Sequence, residues 1–236
     1  AIKVAKANHP EITEIGDVTK INFNDYVGKV DIIIGGSPCQ GFSVCGKQLA
    51  FNDERSALIK YFFDAVEVIK PKYFLLENVV MQKKFEHNIN KVLGVSAIRI
   101  NSALISPQQR VRLYWTTIPE VTQPRQIPEL NIGREIMFHG NTILRDSRPQ
   151  GEIHILREEP TEPVDRCYYY GHRGPRKNQT TTLYSVKGKY PTLTLNNSGN
   201  RFIIKGEWKA FNIKGYELLQ GLPIDYTIHA GEGGKN

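Results

Sequence analysis

Cysteine, methionine and tryptophan are scarce in this chain of 236 residues, which has three, two and two of them, and acidic residues are outnumbered 24 to 31 by lysine and arginine. Cys39, Cys45 and Cys167 are odd in number and lack Cys-x-x-Cys spacing. That argues against a disulfide framework and against a zinc site, and it fits a reducing compartment. No run of eighteen apolar residues occurs, so no membrane-spanning helix is expected. The first eight residues carry Lys3 and Lys6 without the apolar stretch of a signal peptide, which points to an intracellular protein. With 40% apolar residues the chain can build one large domain, or one domain with a small satellite. The net charge of +7 favours a polyanionic partner, and nucleic acid is one.

What is present alternates. Lys29–Gly36 passes from a polar start into Val30, Ile32, Ile33 and Ile34 and ends in two glycines, the pattern of a buried parallel strand closing in a tight turn. Between Arg55 and Lys70, Leu58, Phe62, Phe63, Val66 and Ile69 recur at three- and four-residue spacings, which predicts a helix stopped by Pro71. Tyr73–Leu76 reads as a second buried strand, Lys83–Leu93 as a helix, and Ala97–Leu104 and Val111–Thr117 as further strands. That order predicts an α/β sheet with helices on both faces. Functional groups then gather at the carboxyl ends of the strands, where Ser37–Ser43 and Glu77-Asn78 would converge.

After Pro119 the periodicity is broken by Pro124, Pro128, Pro149, Pro160 and Pro163, and a boundary is placed there. From Asp165 to Lys214 ten basic residues, among them Arg173, Arg176 and Lys177, face only Asp165 and Glu207. Tyr168, Tyr169, Tyr170, His172, Tyr184 and Tyr190 are interleaved with them. Such a segment suits contact with phosphates and bases; the alternative is a solvated basic face over packed tyrosines.

The segment Gly36-Ser37-Pro38-Cys39-Gln40-Gly41-Phe42-Ser43 follows directly on the first strand, so Cys39 sits on a turn shaped by glycine and proline. This string resembles the nucleophile motif of the DNA (cytosine-5) methyltransferase family. Further matches follow in the family's order. Glu77-Asn78-Val79 resembles its Glu-Asn-Val motif, and Gln108-Gln109-Arg110-Val111-Arg112 its Gln-x-Arg-x-Arg motif. Gly16-Asp17-Val18 and Asp53-Glu54-Arg55-Ser56-Ala57-Leu58 resemble its cofactor-contacting segments. The resemblance implies a Rossmann-like, S-adenosylmethionine-dependent methyltransferase sheet with a second, smaller target-recognition domain. Residues 1–119 would form the catalytic α/β domain, 120–188 the target-recognition region, and 189–236 a late region returning toward the catalytic domain, marked by Tyr190-Pro191-Thr192-Leu193-Thr194.

The same resemblance implies a chemistry. Carbon 5 of cytosine is a poor nucleophile until a thiolate adds to carbon 6, and Cys39 is expected to be that thiolate. Nearby cations such as Arg110 and Arg112 would favour the ionised thiol. Addition is easier when N3 of the ring is protonated or strongly hydrogen-bonded, so an acid is wanted beside the base, and Glu77 fills that role. Arg112 is expected to contact the cytosine or its phosphate, and Arg110 to support the nucleophile loop. Asp17, Val18, Pro38 and Leu58 are the expected contacts of S-adenosyl-L-methionine. Gln40, Ser43, Arg173, Arg176 and Lys177 are the expected contacts of double-stranded DNA, from which the target base must be flipped. Gly41–Arg55 resembles a loop that closes over bound DNA.

Some expected features are missing. A Phe-x-Gly-x-Gly cofactor loop and a ribose-binding acid are absent, so missing segments or a partner chain would complete the cofactor pocket. Lys209 and Gly215 stand where the family carries arginine and glutamate. Two other readings stay open: a non-catalytic DNA-binding or regulatory homologue, and a transfer-RNA cytosine-5 methyltransferase. The family would place the protein in the cytoplasm or nucleoid of a bacterium or phage host, in restriction-modification, phage protection or regulation, or in a eukaryotic nucleus.

Overall fold

A computed structural model describes residues 1–38, 58–127, 130–146, 153–164, 167–173, 182–193, 201–204 and 207–230. In chain order the elements are α1 (Ile2–Asn8), β1 (Ile32–Gly36), α2 (Ile59–Ile69), β2 (Tyr73–Val79), α3 (Lys83–Leu93), β3 (Ile98–Asn101) and β4 (Val111–Thr116). They are followed by α4 (Ile132–His139), β5 (Leu144–Asp146), β6 (Ile153–Ile155), β7 (Tyr169–Arg173), β8 (Thr182–Tyr184), β9 (Phe202–Ile204), β10 (Glu207–Phe211) and α5 (Ile213–Leu219). Contacts divide the chain into two units. One, the sheet unit, holds Thr13–Asn101 and Val111–Pro124; the other holds Ala1–Ile12, Ser102–Arg110 and Arg125–Asn236.

In the sheet unit the strand order is β1-β2-β4-β3. β1 and β2 are parallel, paired from Ile32↔Tyr73 to Gly36↔Glu77. β4 enters antiparallel between β2 and β3. Strict alternation along β2 buries Phe74, Leu76 and Asn78 and leaves Tyr73, Leu75, Glu77 and Val79 half-buried. Phe74 and Leu76 join Leu113 and Trp115 of β4 in one core cluster with Ile59 of α2 and Phe85 and Ile89 of α3. Each such side chain contributes about 1.5–3 kcal/mol relative to exposure. The two described α-helices of this unit therefore cover the same face of the sheet, whereas the alternation of strand and helix had implied helices on both. The helix ends follow their residues. α2 stops at Lys70, forced into a left-handed conformation (φ 52°) ahead of Pro71, and α3 at Gly94 (φ 70°).

The apolar run of β1 is not buried as expected: Ile34 is 69% exposed and Ile32 40%. The reason is topological. Among the described strands β1 lies at the end of the order and pairs with β2, so residues that would be covered in a central strand remain open.

The second unit contains two three-stranded sheets, β5-β10-β9 and β6-β7-β8. Its core gathers Ile132, Ile143, Tyr190, Phe202, Phe211 and Leu219. Asn131 and Asn212 cap α4 and α5, their side chains accepting from the N–H groups of Arg134 and Gly215. Gly215 of α5 sits where there is no room for a side chain. A Cβ there would lie 2.4 Å from the Phe211 ring and 2.7 Å from the Ile143 carbonyl oxygen, so α5 can approach its neighbours only through glycine. A carboxylate is nevertheless present on α5, two residues later. Buried Glu217 accepts from the Asp225 N–H at 2.7 Å and from the Thr227 N–H and hydroxyl at 2.6 Å each. α1 is fastened in the same unit, Asn8 Nδ2 donating to the Tyr226 carbonyl at 2.9 Å.

Candidate active site

Parallel strands end on the same side of a sheet, and the last residues of β1 and β2 are therefore neighbours: Gly36 pairs with Glu77. β2 continues to Val79 because β4 still pairs with it there, Val79↔Arg112. Glu77 and Asn78 thus lie within the strand rather than on a loop after it, and pleating sends them to opposite faces. Arg112, diagonal to Glu77 on its face, brings Nε to 2.9 Å from the Glu77 carboxylate; the side chains are 14% and 30% exposed. Arg112 Nη1 also donates to the Val111 carbonyl at 2.8 Å, which fixes the guanidinium. The second Glu77 oxygen leans over the end of β1, since a Cβ on Gly36 would sit 3.4 Å from it. A carboxyl group held in this way, partly open at a strand end, can donate to or accept from the polar edge of a planar ring.

Beside it, still within the sheet unit, lies a cavity of about 500 Å³. Its walls include Ile15, Val18, Ile33, Pro38, Leu58 and Phe62. Val18, Pro38 and Leu58, expected from the sequence to contact a cofactor, are thereby brought together. Asp17, the fourth, precedes Val18 and caps a short 3-10 turn. The Thr19 N–H and then the Thr19 hydroxyl, each 2.9 Å away, hold its exposed carboxyl below the ordinary value. Among the described residues no group of three or more histidine, cysteine or acidic side chains could hold a metal.

Arg110 falls in the second unit, its carbonyl accepting from the Ser102 N–H at 3.0 Å, so the Arg-x-Arg motif is divided between the units at Val111. Cys39, Gln40, Ser43, Arg176 and Lys177 lie outside the described residues, as does the side chain of Arg173, whose backbone pairs with Ile153. Tyr168, Tyr169 and His172 of the basic, tyrosine-rich stretch pack against residues that precede it. Arg157 lies 4.5 Å from the Tyr168 ring and 4.1 Å from the Tyr169 ring, and His154 stacks on His172 at 4.9 Å.

Several organising residues were given no individual role by the sequence. Gln109 donates its N–H to the Tyr190 carbonyl (2.7 Å), while its own carbonyl accepts from the Thr192 hydroxyl (2.7 Å) and its Oε1 from the Cys167 N–H (3.2 Å). Lys189, 1% exposed, donates to the carbonyls of Ser106 and Leu130. Asn78, 1% exposed, donates to the Ser37 hydroxyl at 2.8 Å. The available signal was a polar residue inside an apolar strand, which must find a partner when buried. Burial pushes the Cys167 thiol up to about 12, and burial together with Cys167 does the same for Tyr184, also to about 12.

Residues 1–146 match the family described as C-5 cytosine-specific DNA methylase. The chain is 45% identical over 82 residues to the type II methyltransferase M.NlaIV of Neisseria lactamica, a stretch covering 34% of this chain and 18% of that protein. It is 37% identical over 255 residues to the orphan methyltransferase M.SPRI of Bacillus phage SPR, covering 97% of this chain and 55% of the phage protein. The chain therefore spans about half the length of the phage relative and a smaller share of the Neisseria one. An E. coli structure described as a DNA modification methyltransferase encoded within a prophage superposes with a TM-score of 0.61, covering 96% of this chain and 80% of that one. At 20% identity, that likeness shows a shared fold.

Proposed function

Because this chain belongs to the C-5 cytosine-specific DNA methylase family, we propose that it serves methyl transfer from S-adenosyl-L-methionine to carbon 5 of a cytosine flipped out of double-stranded DNA. The observation that carries this reading is the Glu77–Arg112 pair at 2.9 Å, set beside the end of β1, whose last residue, Gly36, precedes Cys39 by three positions in the sequence. The thiolate of Cys39 adds to carbon 6, forming a sulfur–carbon bond as the C5=C6 π pair shifts toward carbon 5. Glu77 hydrogen-bonds the N3 edge and stabilises the electron density developing in the ring. Arg112 holds the Glu77 carboxyl in place. After methylation, carbon 5 loses its proton to water, the C–H electron pair re-forms the C5=C6 double bond, and Cys39 leaves carbon 6 as the thiolate.

The cavity of the sheet unit supports the cofactor part of this reading. Aliphatic walls from Val18, Ile33 and Leu58, with the Phe62 ring, suit a flat adenine, and Pro38 is both a wall of the cavity and the residue before Cys39. When bound, the cofactor supplies an electrophilic methyl group. Gln40, Ser43 and the basic region with Arg173, Arg176 and Lys177 would hold the DNA. The names of the relatives support a role in restriction-modification or phage DNA modification, and hence an intracellular location.

The test is incubation of the protein with duplex DNA containing 5-fluorocytosine and S-adenosylmethionine, followed by peptide mass spectrometry. Fluorine cannot leave as a proton does, so the expected product is a stable Cys39 adduct, absent from Cys39→Ser. Unmodified Cys39 in protein that binds the DNA would overturn the catalytic reading and favour a non-catalytic DNA-binding homologue. A faster adduct with fluorocytosine-containing transfer RNA would move the substrate from DNA to RNA.

A further inference from the structure

The hydrogen-bonded ladder between β1 and β2 stops at Gly36–Glu77. It cannot be carried past the next residue, because Pro38 has no N–H to donate. Among the described residues, side chains make a link beyond the ladder. Asn78, one residue past Glu77 and 1% exposed, donates from Nδ2 to the Ser37 hydroxyl at 2.8 Å. The orientation of its amide is fixed chemically. Oδ1 accepts the Val79 N–H at 2.8 Å, and since a backbone N–H can only donate, Nδ2 must be the atom that faces Ser37.

We propose that Asn78 is a positioning residue for the proposed nucleophile turn, acting through Ser37 to fix where the Ser37-Pro38-Cys39 segment starts relative to Glu77. Pleating places Asn78 on the face opposite Glu77, so it does not share the surface that Glu77 presents. Its effect passes instead through a hydroxyl two residues before Cys39. The Gly36–Glu77 pairing sets the end of β1 against the acid, and the Asn78–Ser37 bond extends that register one residue toward the sulfur. A buried amide without its partner leaves polar atoms unsatisfied, so the bond holds the turn by penalising its departure.

The proposal rests on the methyltransferase reading and is tested so that the two can fail separately. The rate constant for adduct formation with fluorocytosine duplex is measured in single turnover for the wild type, Asn78→Ala, Ser37→Ala, the double variant and Ser37→Thr. Expected are equal losses of about tenfold in the limiting rate for both alanine variants, with unchanged half-saturating DNA. The double variant should be no slower than either single one, and Ser37→Thr, which keeps a hydroxyl, should stay near wild type. A merely structural loss lowers the fraction of protein that reacts and leaves the rate constant alone. That outcome, or additive losses in the double variant, would overturn the proposal. Should Asn78→Ala fail to fold, the contrast between Ser37→Ala and Ser37→Thr decides alone. If the wild type forms no adduct, the methyltransferase reading fails, and the pH profile of Cys39 alkylation by iodoacetamide decides the positioning role. A common displacement of its midpoint in the two alanine variants upholds the role, and an unmoved midpoint rejects it.

Discussion

Replacing Arg112 with methionine keeps a long apolar stem in the β4 ladder and removes the guanidinium that lies 2.9 Å from Glu77. A hydrogen bond to a charged partner contributes about 1.5–3 kcal/mol to stability, and the loss grows when a charge is left buried. Glu77 is 30% exposed, so water recovers part of that loss. The expected net cost is about 1–2 kcal/mol, read from the urea midpoint with the slope of unfolding unchanged. Glu77→Gln in the Arg112→Met background should then cost less than in the wild type, giving a coupling energy of about 1 kcal/mol. Arg112→Lys should not recover it, because an ammonium cannot reproduce the planar fork that contacts both Glu77 and the Val111 carbonyl. Additive costs, or a change below about 0.5 kcal/mol for Arg112→Met, would refute the view that this pair organises the strand end.

Gly215→Ala should destabilise the protein by about 1–3 kcal/mol, seen as a lower denaturation midpoint, because the added methyl meets the Phe211 ring and the Ile143 backbone. Cys167 is raised from 9.0 to about 12 in the folded state, so between those values the unfolded chain binds fewer protons and stability falls as pH rises. That contribution is fully present below about pH 9 and is lost on rising through the folded value, with Tyr184 adding to the upper part of the window; Cys167→Val should flatten the profile in alkaline denaturation series. Iodoacetamide at pH 8 should leave Cys167 unmodified until the protein is unfolded. Leu58→Asp should weaken S-adenosylmethionine binding at least about tenfold by calorimetry, since it puts a charge among apolar walls.

Local periodicity made α3 legible to its ends, Lys83–Leu93, and made β4 legible to within one residue, because both depend on residues close in sequence. β2 runs three residues past Leu76 because a strand's end is decided by its partner, and β4 keeps pairing down to Arg112. Ile34 was misjudged for a related reason. Composition reports which residues avoid water in general, but the strand order that leaves β1 at an edge is a long-range property. At the site, Glu77 and Arg112 were legible through a resemblance that named them, and the structure brings them together. Asn78 lies inside one of the quoted motifs, yet no role followed for it from the sequence, since its partner stands 41 positions away. The bonds of Gln109 to Tyr190, Thr192 and Cys167 were invisible for the same reason.

Two adjacent positions of β2 face opposite ways, one toward the guanidinium of Arg112 and the other toward the hydroxyl of Ser37. The parity of the strand is therefore as constrained as its chemistry. A single extra or missing residue between Tyr73 and Leu76 would exchange the two surfaces, driving a carboxylate into the aromatic interior and turning an amide outward. Point substitutions in that stretch can be graded by size and polarity, but a change in its length by one codon would remove both arrangements at once.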